Sequence, residues 1–346
     1  MITVYNDRHG RHHGRSEMYR GQLVPCFEIP DRVDFVHAEV LARGLGPVQG
    51  PDAFDPALLA AVHSRRYLDF LAGAWDEWIA QDPAHADFDI LPSYWPTRGM
   101  REDVLPASFS ARLGFFGFDA GSPMTAGTWD AALHGAACAW TAAGRVTQGV
   151  RATFALTRPP GHHAGPDFFG GYCFLNNAAL AAQALRDSGV ERVAVLDVDF
   201  HHGNGTQAIF YDRGDVHFAS LHGDPRHEYP YYLGHADERG ASAGEGLNHN
   251  IPLARGTEFT VWREALATAL AGIAAVKAGA LVVSLGVDTF EGDPISHFKL
   301  KSEDYLRIGA AIATCGLPTV FTMEGGYAVA EVGENVVNVL EGFSVR

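Results

Sequence analysis

Seven short apolar runs recur along the chain, and polar or turn-forming residues separate them. A short, continuous apolar run is typical of a strand that is buried on both faces of a sheet. The pattern therefore predicts strands at Ile2–Tyr5, Ala152–Leu156, Val193–Val198, Val216–Leu221, Asn248–Leu253, Leu281–Val287 and Thr319–Met323.

Between several of these runs, apolar positions return every three or four residues, which is the spacing of one helix face. The clearest predicted helices are Thr128–Ala143, Asn177–Ser188, Val261–Ala278 and Glu303–Cys315. Alternating strands and helices predict an α/β fold: a single domain over residues 1–346, with a mostly parallel central sheet of about eight strands flanked by helices on both faces. The segment Gln81–Arg101 has no clear period, and we interpret it as an insertion loop outside the core.

Composition and charge narrow the classes of function. Of the 346 residues, 47% are hydrophobic and 19% charged, so the chain can bury a large core. The formal charge of −15 argues against nucleic acid or a membrane surface as partner and leaves room for a cationic substrate, although solubility alone also explains such a charge. The N-terminal stretch Met1–His9 lacks the pattern of a signal peptide, and no apolar run reaches the length of a membrane span.

The cysteines are too widely spaced for a disulfide framework or a thiolate metal site, so we expect a cytoplasmic location. They are Cys26, Cys138, Cys173 and Cys315.

Acids and imidazoles follow two of the predicted strands. Asp199 and His201 come just after one of them, and Asp288 ends another. An Asp-x-His pair alone also suits two solvated residues, but a third carboxylate completes the ligand set of a catalytic zinc site with one open position for water. No second acid lies two residues after Asp288, which favours one metal over a two-metal cluster.

Further candidate groups follow two other strands. His162 and His163 lie in a Pro- and Gly-rich turn and could move protons near neutral pH, with Asp197 orienting one imidazole. Tyr327 follows a double glycine and could donate to a developing oxyanion. Taken singly, each of these side chains is equally well explained by packing. The aromatic, Gly-rich stretch Phe168–Phe174 could wall a substrate slot.

Together these motifs resemble the histone deacetylase superfamily, and more closely its bacterial acetylpolyamine amidohydrolase branch. The resemblance covers nearly the whole chain and implies an arginase/deacetylase fold. The segments that carry it, in family order and at family-like spacing, are Arg158–Ala164, Gly170–Asn177, Leu196–Gly205, Ala219–Pro225, Ser284–Phe290 and Glu324–Tyr327.

The resemblance implies a role for each catalytic candidate. One zinc ion would be bound by Asp199, His201 and Asp288, although iron and cobalt accept the same donors. His163 would act as general base and then acid, and His162 as its electrostatic partner. Tyr327 would hydrogen-bond the substrate carbonyl. In the second shell, Asp197 would support His162, and Asn204 stands where many histone deacetylases have an aspartate, which leaves His163 less basic.

The resemblance also implies a substrate, a second cation and a partner. The substrate would be a small cationic acetylated amine such as acetylputrescine, acetylcadaverine or acetylspermidine, bound by Glu17, Gly171, Tyr172 and Tyr229. Other entrance acids of the branch are not evident, since Ser110 and Gly121 occupy those positions. A homodimer built on Gln81–Arg101 would narrow the entrance. A structural potassium ion would be held by Asp197, Asp199, His201, Ser220 and Leu221.

Three other functions remain open at this point. The same chemistry could deacylate lysine side chains or other small amides. A metal-stabilised binding protein could keep the fold without turnover. A two-metal ureohydrolase shares the fold but needs bridging acids that are not evident in this sequence.

Overall fold

An eight-stranded, entirely parallel sheet organises the structure, a computed structural model that describes residues 1–345. All seven predicted strands lie in it, and a two-residue strand at one edge completes it. The remaining two strands form an antiparallel hairpin. In chain order the strands are β1 (Ile2–Val4), β2 (Ser16–Tyr19), β3 (Gln22–Pro25), β4 (Val48–Gln49), β5 (Ala152–Ala155), β6 (Val193–Asp197), β7 (Val216–Gly223), β8 (Asn248–Leu253), β9 (Ala280–Leu285) and β10 (Thr319–Met323).

The order of strands across the sheet is β4-β1-β5-β10-β9-β6-β7-β8. The four central strands, β5, β10, β9 and β6, therefore end side by side at one edge of the sheet. Ligands of open parallel sheets bind outside these carboxyl ends.

Helices cover both faces of the sheet, as predicted. They are α1 (Asp31–Ala42), α2 (Arg65–Gln81), α3 (Phe109–Phe116), α4 (Thr128–Thr147), α5 (Asn177–Asp187), α6 (Asn204–Phe210), α7 (Phe259–Ala275), α8 (Ser302–Ile312) and α9 (Val332–Ser344). Within residues 1–345, none of them combines the length and the apolar character that a membrane span requires.

Some element ends differ from the prediction. Helix α7 stops at Ala275 instead of Ala278, because Lys277 takes a left-handed backbone conformation that a helix cannot continue through. Strand β9 stops at Leu285 rather than Val287. Val287 opens a turn in which its carbonyl accepts a hydrogen bond from the amide of Phe290 at 3.2 Å. Asp288 is therefore a loop residue and not the last residue of a strand.

The hydrophobic core forms two layers, one on each face of the sheet. Val195 packs in the layer that includes α4 and α5, whereas its neighbour Leu196 packs in the layer that includes α7 and α9. Both side chains are fully buried. This two-sided burial explains why central strands such as β6 and β9 read as mostly continuous apolar runs rather than as alternating ones.

The segment Gln81–Arg101 begins where α2 ends and lacks long regular elements. It contains a 3-10 turn at Pro83–Asp87 and otherwise irregular backbone. Several large apolar side chains of this segment are exposed, namely Phe88, Tyr94, Trp95 and Met100.

Candidate active site

The loops after the four central strands bring the predicted site residues together. His162 and His163 follow β5, and Asp199 and His201 follow β6. Asp288 follows β9, and Tyr327 follows β10. All of these side chains are buried. The expected convergence at one sheet edge is therefore what the structure contains.

Asp199, His201 and Asp288 form a compact group whose ligand atoms lie within 4.8 Å of one another. The Nδ1 atom of His201 lies 2.8 Å from a carboxylate oxygen of Asp288 and 3.4 Å from one of Asp199. Burial, and then the negative charge of Asp199, raise the pKa of Asp288. Two crowded carboxylates beside an imidazole are a donor set that fits a divalent transition-metal ion.

The two adjacent histidines have different partners and opposite protonation tendencies. His162 Nδ1 lies 2.9 Å from a carboxylate oxygen of Asp197. Burial lowers the pKa of His162, but the charges of Asp199 and Asp197 outweigh it and raise the value to about 10. His163 Nδ1 lies 2.6 Å from the side-chain oxygen of Asn204. Burial, and then the charges of His162 and His201, hold the pKa of His163 well below its usual range.

These contacts assign a tautomer to His163. An amide oxygen can only accept, so Nδ1 of His163 carries the proton and donates it to Asn204. The other ring nitrogen, Nε2, then keeps a free lone pair. The lowered pKa of His163 favours a neutral imidazole that can take up a proton, whereas the raised pKa of His162 favours the charged form.

The loop that carries Tyr327 is held by side chains from two other parts of the chain. A carboxylate oxygen of Asp293 accepts from the amide of Tyr327 at 2.7 Å. Arg32 on α1 donates from Nε to the carbonyl of Gly326 at 2.6 Å, and its guanidinium lies 4.7 Å from the centre of the Tyr327 ring. Burial raises the pKa of Tyr327 well above its usual value, so the phenol keeps its proton and can donate.

Gly325 is required by this close packing. A Cβ atom at this position would lie 2.6 Å from a carboxylate oxygen of Asp199 and 2.8 Å from one of Asp288. The amide of Gly325 instead donates to Asp199 at 2.8 Å. The loop can therefore pass directly against the predicted metal ligands.

Glu28 joins Arg32 to a second buried arginine. One of its carboxylate oxygens accepts from Nη1 of Arg32 at 2.8 Å and from Nε of Arg158 at 2.7 Å. Arg158 opens the loop that carries the two histidines, and it also donates to the carbonyl of His9 at 2.6 Å. All three charged side chains are almost completely buried. The triad therefore ties the histidine loop and the tyrosine loop to the same carboxylate.

We expect Glu28→Gln to destabilise the fold by about 3 kcal/mol, because two buried guanidinium groups lose their counter-charge. Urea unfolding at pH 7 measures this change. Burial raises the pKa of Glu28, but Arg158 and Arg32 overcome this and lower it below 4.5. The stability from Glu28 is therefore full above pH 4.5 and is lost as the pH falls towards the lowered value, so wild type and variant should converge there.

Glu39→Gln is the matched control for this prediction. Glu39 pairs with Arg43 at 2.7 Å, but both side chains are about one-third exposed. A change below about 1 kcal/mol is expected for such a pair. Equal effects of the two substitutions would contradict the assigned role of Glu28.

A cavity of about 450 Å³ opens onto His163, His201 and Tyr327. The four residues that the sequence proposed for substrate binding all line it. They are Glu17, Gly171, Tyr172 and Tyr229.

Glu17 lies on β2 and accepts a hydrogen bond from the Tyr172 hydroxyl at 2.8 Å. Its side chain is buried, which raises its pKa to about 7. Gly171 approaches the histidines so closely that a Cβ atom there would lie 2.1 Å from the ring of His163. The cavity wall is thus packed directly against the reacting side of the site.

The predicted potassium ligands also lie at this edge of the sheet. Asp197 on β6 pairs in register with Ser220 on β7, and Leu221 is the next residue of that strand. The carboxylate of Asp197 additionally accepts a hydrogen bond of 3.1 Å from the amide of Asp199, which fixes the turn toward His201. The arrangement is compatible with a bound cation, and potassium stays a prediction.

Sequence reasoning missed several residues that shape the site. Asp119 lines the cavity two residues before Gly121, in a segment where only Ser110 and Gly121 were considered as entrance positions. Of those two, Gly121 lines the cavity. Glu324 accepts from the amides of Gly161 and His162, at 2.6 and 3.1 Å.

Some of the missed residues lie in or near a motif that was recognised in the sequence, and others do not. The Glu-Gly-Gly-Tyr run already contained Glu324, and Asp293 follows the Asp288 motif by five residues. Glu28 and Arg32 lie far from every motif in sequence, so only the tertiary fold identifies them.

Comparison with known proteins decides the family. A model of the histone deacetylase domain matches residues 27–343. The chain belongs to the histone deacetylase family. Among the similar relatives in this family is acetylpolyamine amidohydrolase 2 of Pseudomonas aeruginosa, which is 54% identical over 99% of this chain and 98% of its own length. Acetylpolyamine amidohydrolase of Mycoplana ramosa is 48% identical over 99% of both chains.

A solved structure within the family supports the same assignment. The crystal structure of an acetylpolyamine aminohydrolase from Burkholderia pseudomallei superposes with a TM-score of 0.94 at 39% identity, over 99% of this chain and 98% of the other. Membership of the histone deacetylase family confirms the predicted fold and the prediction of a hydrolase that acts on acetylated amides.

Proposed function

We propose that this protein hydrolyses the amide bond of N-acetylated polyamines or diamines to acetate and the free amine. The observation that carries the proposal is the cavity, in which the buried carboxylate of Glu17 shares one space with His163 and Tyr327. A site for a cationic amine lies within reach of groups able to cleave its acyl bond. Full-length relatives named acetylpolyamine amidohydrolase support the same substrate class.

In this proposal Asp199, His201 and Asp288 hold one divalent metal ion, with zinc as the expected ion and iron or cobalt as acceptable substitutes. When bound, such an ion supplies Lewis acidity toward the carbonyl and makes a water molecule easier to deprotonate. The clustered donors and the raised pKa of Asp288 support a cation at this position. Elemental analysis should give one transition-metal ion per chain, and two would favour the ureohydrolase alternative.

In this proposal one side chain transfers protons and two others stabilise the negative charge on the substrate oxygen. His163, neutral and with Nε2 free, takes the proton of the attacking water and then delivers it to the leaving nitrogen. His162 stays charged beside Asp197 and so favours the negative charge that develops on the substrate oxygen. The Tyr327 hydroxyl donates a hydrogen bond to that oxygen.

The amine chain of the substrate lies between Tyr172 and Tyr229 in this proposal. Glu17 receives a distal ammonium group, and its pKa of about 7 would fall when a cation binds beside it. The exposed apolar residues of Gln81–Arg101 support a homodimer formed on this segment, since large exposed apolar surfaces mark interaction sites. Sedimentation velocity should then show a dimer that substitutions of Tyr94 and Met100 by serine weaken.

Acetate release from a panel of amides tests the function. Zinc-loaded protein should cleave acetylputrescine, acetylcadaverine or acetylspermidine with a higher kcat/KM than an acetyl-lysine peptide. Preference for the peptide would keep the chemistry and move the substrate to acyl-lysine. Protein that loads metal yet cleaves none of them would refute the proposal and leave a metal-stabilised binding protein.

A further inference from the structure

One carboxylate, that of Asp119, is shared by several parts of the cavity wall. Its Oδ2 atom accepts from the amide of Gly171 at 2.7 Å and from the hydroxyl of Tyr229 at 2.5 Å. Its Oδ1 atom accepts from the amide of Gly121 and from the hydroxyl of Ser122, both at 3.0 Å. Oδ2 thus holds two other segments, while Oδ1 closes the local turn that carries Ser122.

The first segment held in this way carries Tyr229. Its ring stands edge-on to His163, with 5.1 Å between centroids, and lies nearly parallel to Phe118 at 5.8 Å. Burial, and then the charge of Asp119, keep the pKa of the phenol well above its usual value, so Tyr229 stays a donor. The bond to Asp119 fixes the outer end of a ring whose face and edge are already packed.

The second segment is the turn at Gly171 and Tyr172. Both residues have a left-handed backbone, with φ values of 54° and 67°, and this conformation is unfavourable for a tyrosine. The turn is held by the bond from Gly171 to Asp119 and by a 2.9 Å bond from the amide of Tyr172 to the hydroxyl of Ser122. Since Ser122 itself donates to Asp119, the position of Tyr172 depends on the same carboxylate.

We infer that Asp119 is a specificity-determining positioning residue: it fixes Tyr229 and Tyr172 together and so sets the width of the slot that admits the amine chain. The inference rests on the proposed function and adds the class of amine to it. A slot with both tyrosines fixed should favour an unbranched aliphatic chain over a chain that is thickened by a ring or a branch. Asp119 acts through the two tyrosines and not on the reacting atoms.

Two acetylated diamines separate chain thickness from charge. N-acetyl-1,6-hexanediamine has a straight chain, whereas N-acetyl-p-xylylenediamine carries a flat ring between the same two ends. Both present one acetamide and one distal ammonium group. The ratio of their kcat/KM values therefore reports the width of the slot and cancels losses of folded or metal-loaded protein.

Two substitutions release the tyrosines in different ways. Tyr229→Phe keeps the ring and the carboxylate but removes their bond, and Asp119→Asn places an amide donor against existing donors. Each should lower the preference for the straight chain by about tenfold or more, as a change of pocket shape by a few carbon atoms does. Tyr211→Phe is the control, because Tyr211 follows α6 and does not line the cavity.

The outcomes separate this inference from the proposed function. Metal-loaded wild-type protein that cleaves neither diamine and none of acetylputrescine, acetylcadaverine and acetylspermidine would refute the proposed function. Wild-type protein that cleaves the straight chain, together with Tyr229→Phe and Asp119→Asn variants whose preference stays within about twofold of wild type, would overturn the role of Asp119. An equal loss on both diamines counts against it in the same way, because the ratio would then be unchanged.

Discussion

His163→Ala should lower kcat by a factor of about 1000 or more, the upper part of the range for a general acid–base group. The reason is that Nε2 of His163 carries the free lone pair of a neutral imidazole beside the predicted metal group. The bond of 2.6 Å between Nδ1 and Asn204 holds the ring in that tautomer. Alanine removes both the acceptor for the proton of water and the donor to the leaving nitrogen. Steady-state assays of acetate release measure the loss.

Metal content must be measured in the same samples. His163 lies outside the group formed by Asp199, His201 and Asp288, so the variant should bind as much metal as wild type. His249→Ala is the control for removing an imidazole, because His249 is a half-buried residue of β8 outside the cavity. A His163→Ala variant with substantial turnover would mean that another group serves as base.

Tyr327→Phe should lower kcat by about 100-fold or more, with little change in KM, because the phenol donates a hydrogen bond that strengthens as charge develops on the substrate oxygen. Phenylalanine keeps the ring against the guanidinium of Arg32, 4.7 Å away, and the amide bond to Asp293 does not involve the side chain. The loop should therefore keep its place. Unchanged kcat would remove Tyr327 from the mechanism.

Two further measurements on the Tyr327→Phe variant test whether the substitution disturbs the structure. Metal content and the urea midpoint of Tyr327→Phe should match those of wild type, since only one hydroxyl is removed. Tyr211→Phe, which removes a phenol outside the cavity, should leave kcat unchanged. A variant that loses metal would show that the tyrosine supports the metal group and not the substrate oxygen.

The sequence predicted the sheet well because its strands are buried on both faces. Residues 193–196 of β6 and 280–283 of β9 are apolar without interruption, a pattern that solvent-facing strands do not have. The two-residue edge strand Val48–Gln49 carried no such pattern and was not located. The end of β9 was placed two residues late, since nothing in the apolar run marks the turn at Val287.

The site was predictable where the chemistry lies close along the chain. Close spacing in the sequence marks two pairs of candidates, Asp199 with His201 and His162 with His163. The parallel topology then brings Asp288 and Tyr327 to the same edge of the sheet. Asp119 was not predictable, because its importance comes from its bonds to Gly171 and Tyr229, which only the tertiary fold brings to it.

The contact between Arg32 and the tyrosine loop spans almost the entire length of the chain. Residue 32 belongs to the first long helix, and residues 324–327 immediately precede the last one. Arg43 on α1 also pairs with Glu341 on α9 at 2.7 Å, so the two ends close on each other. Local unfolding of α1 or α9 would misplace the Tyr327 hydroxyl while the sheet stays folded. Loss of activity on heating should therefore precede loss of secondary structure.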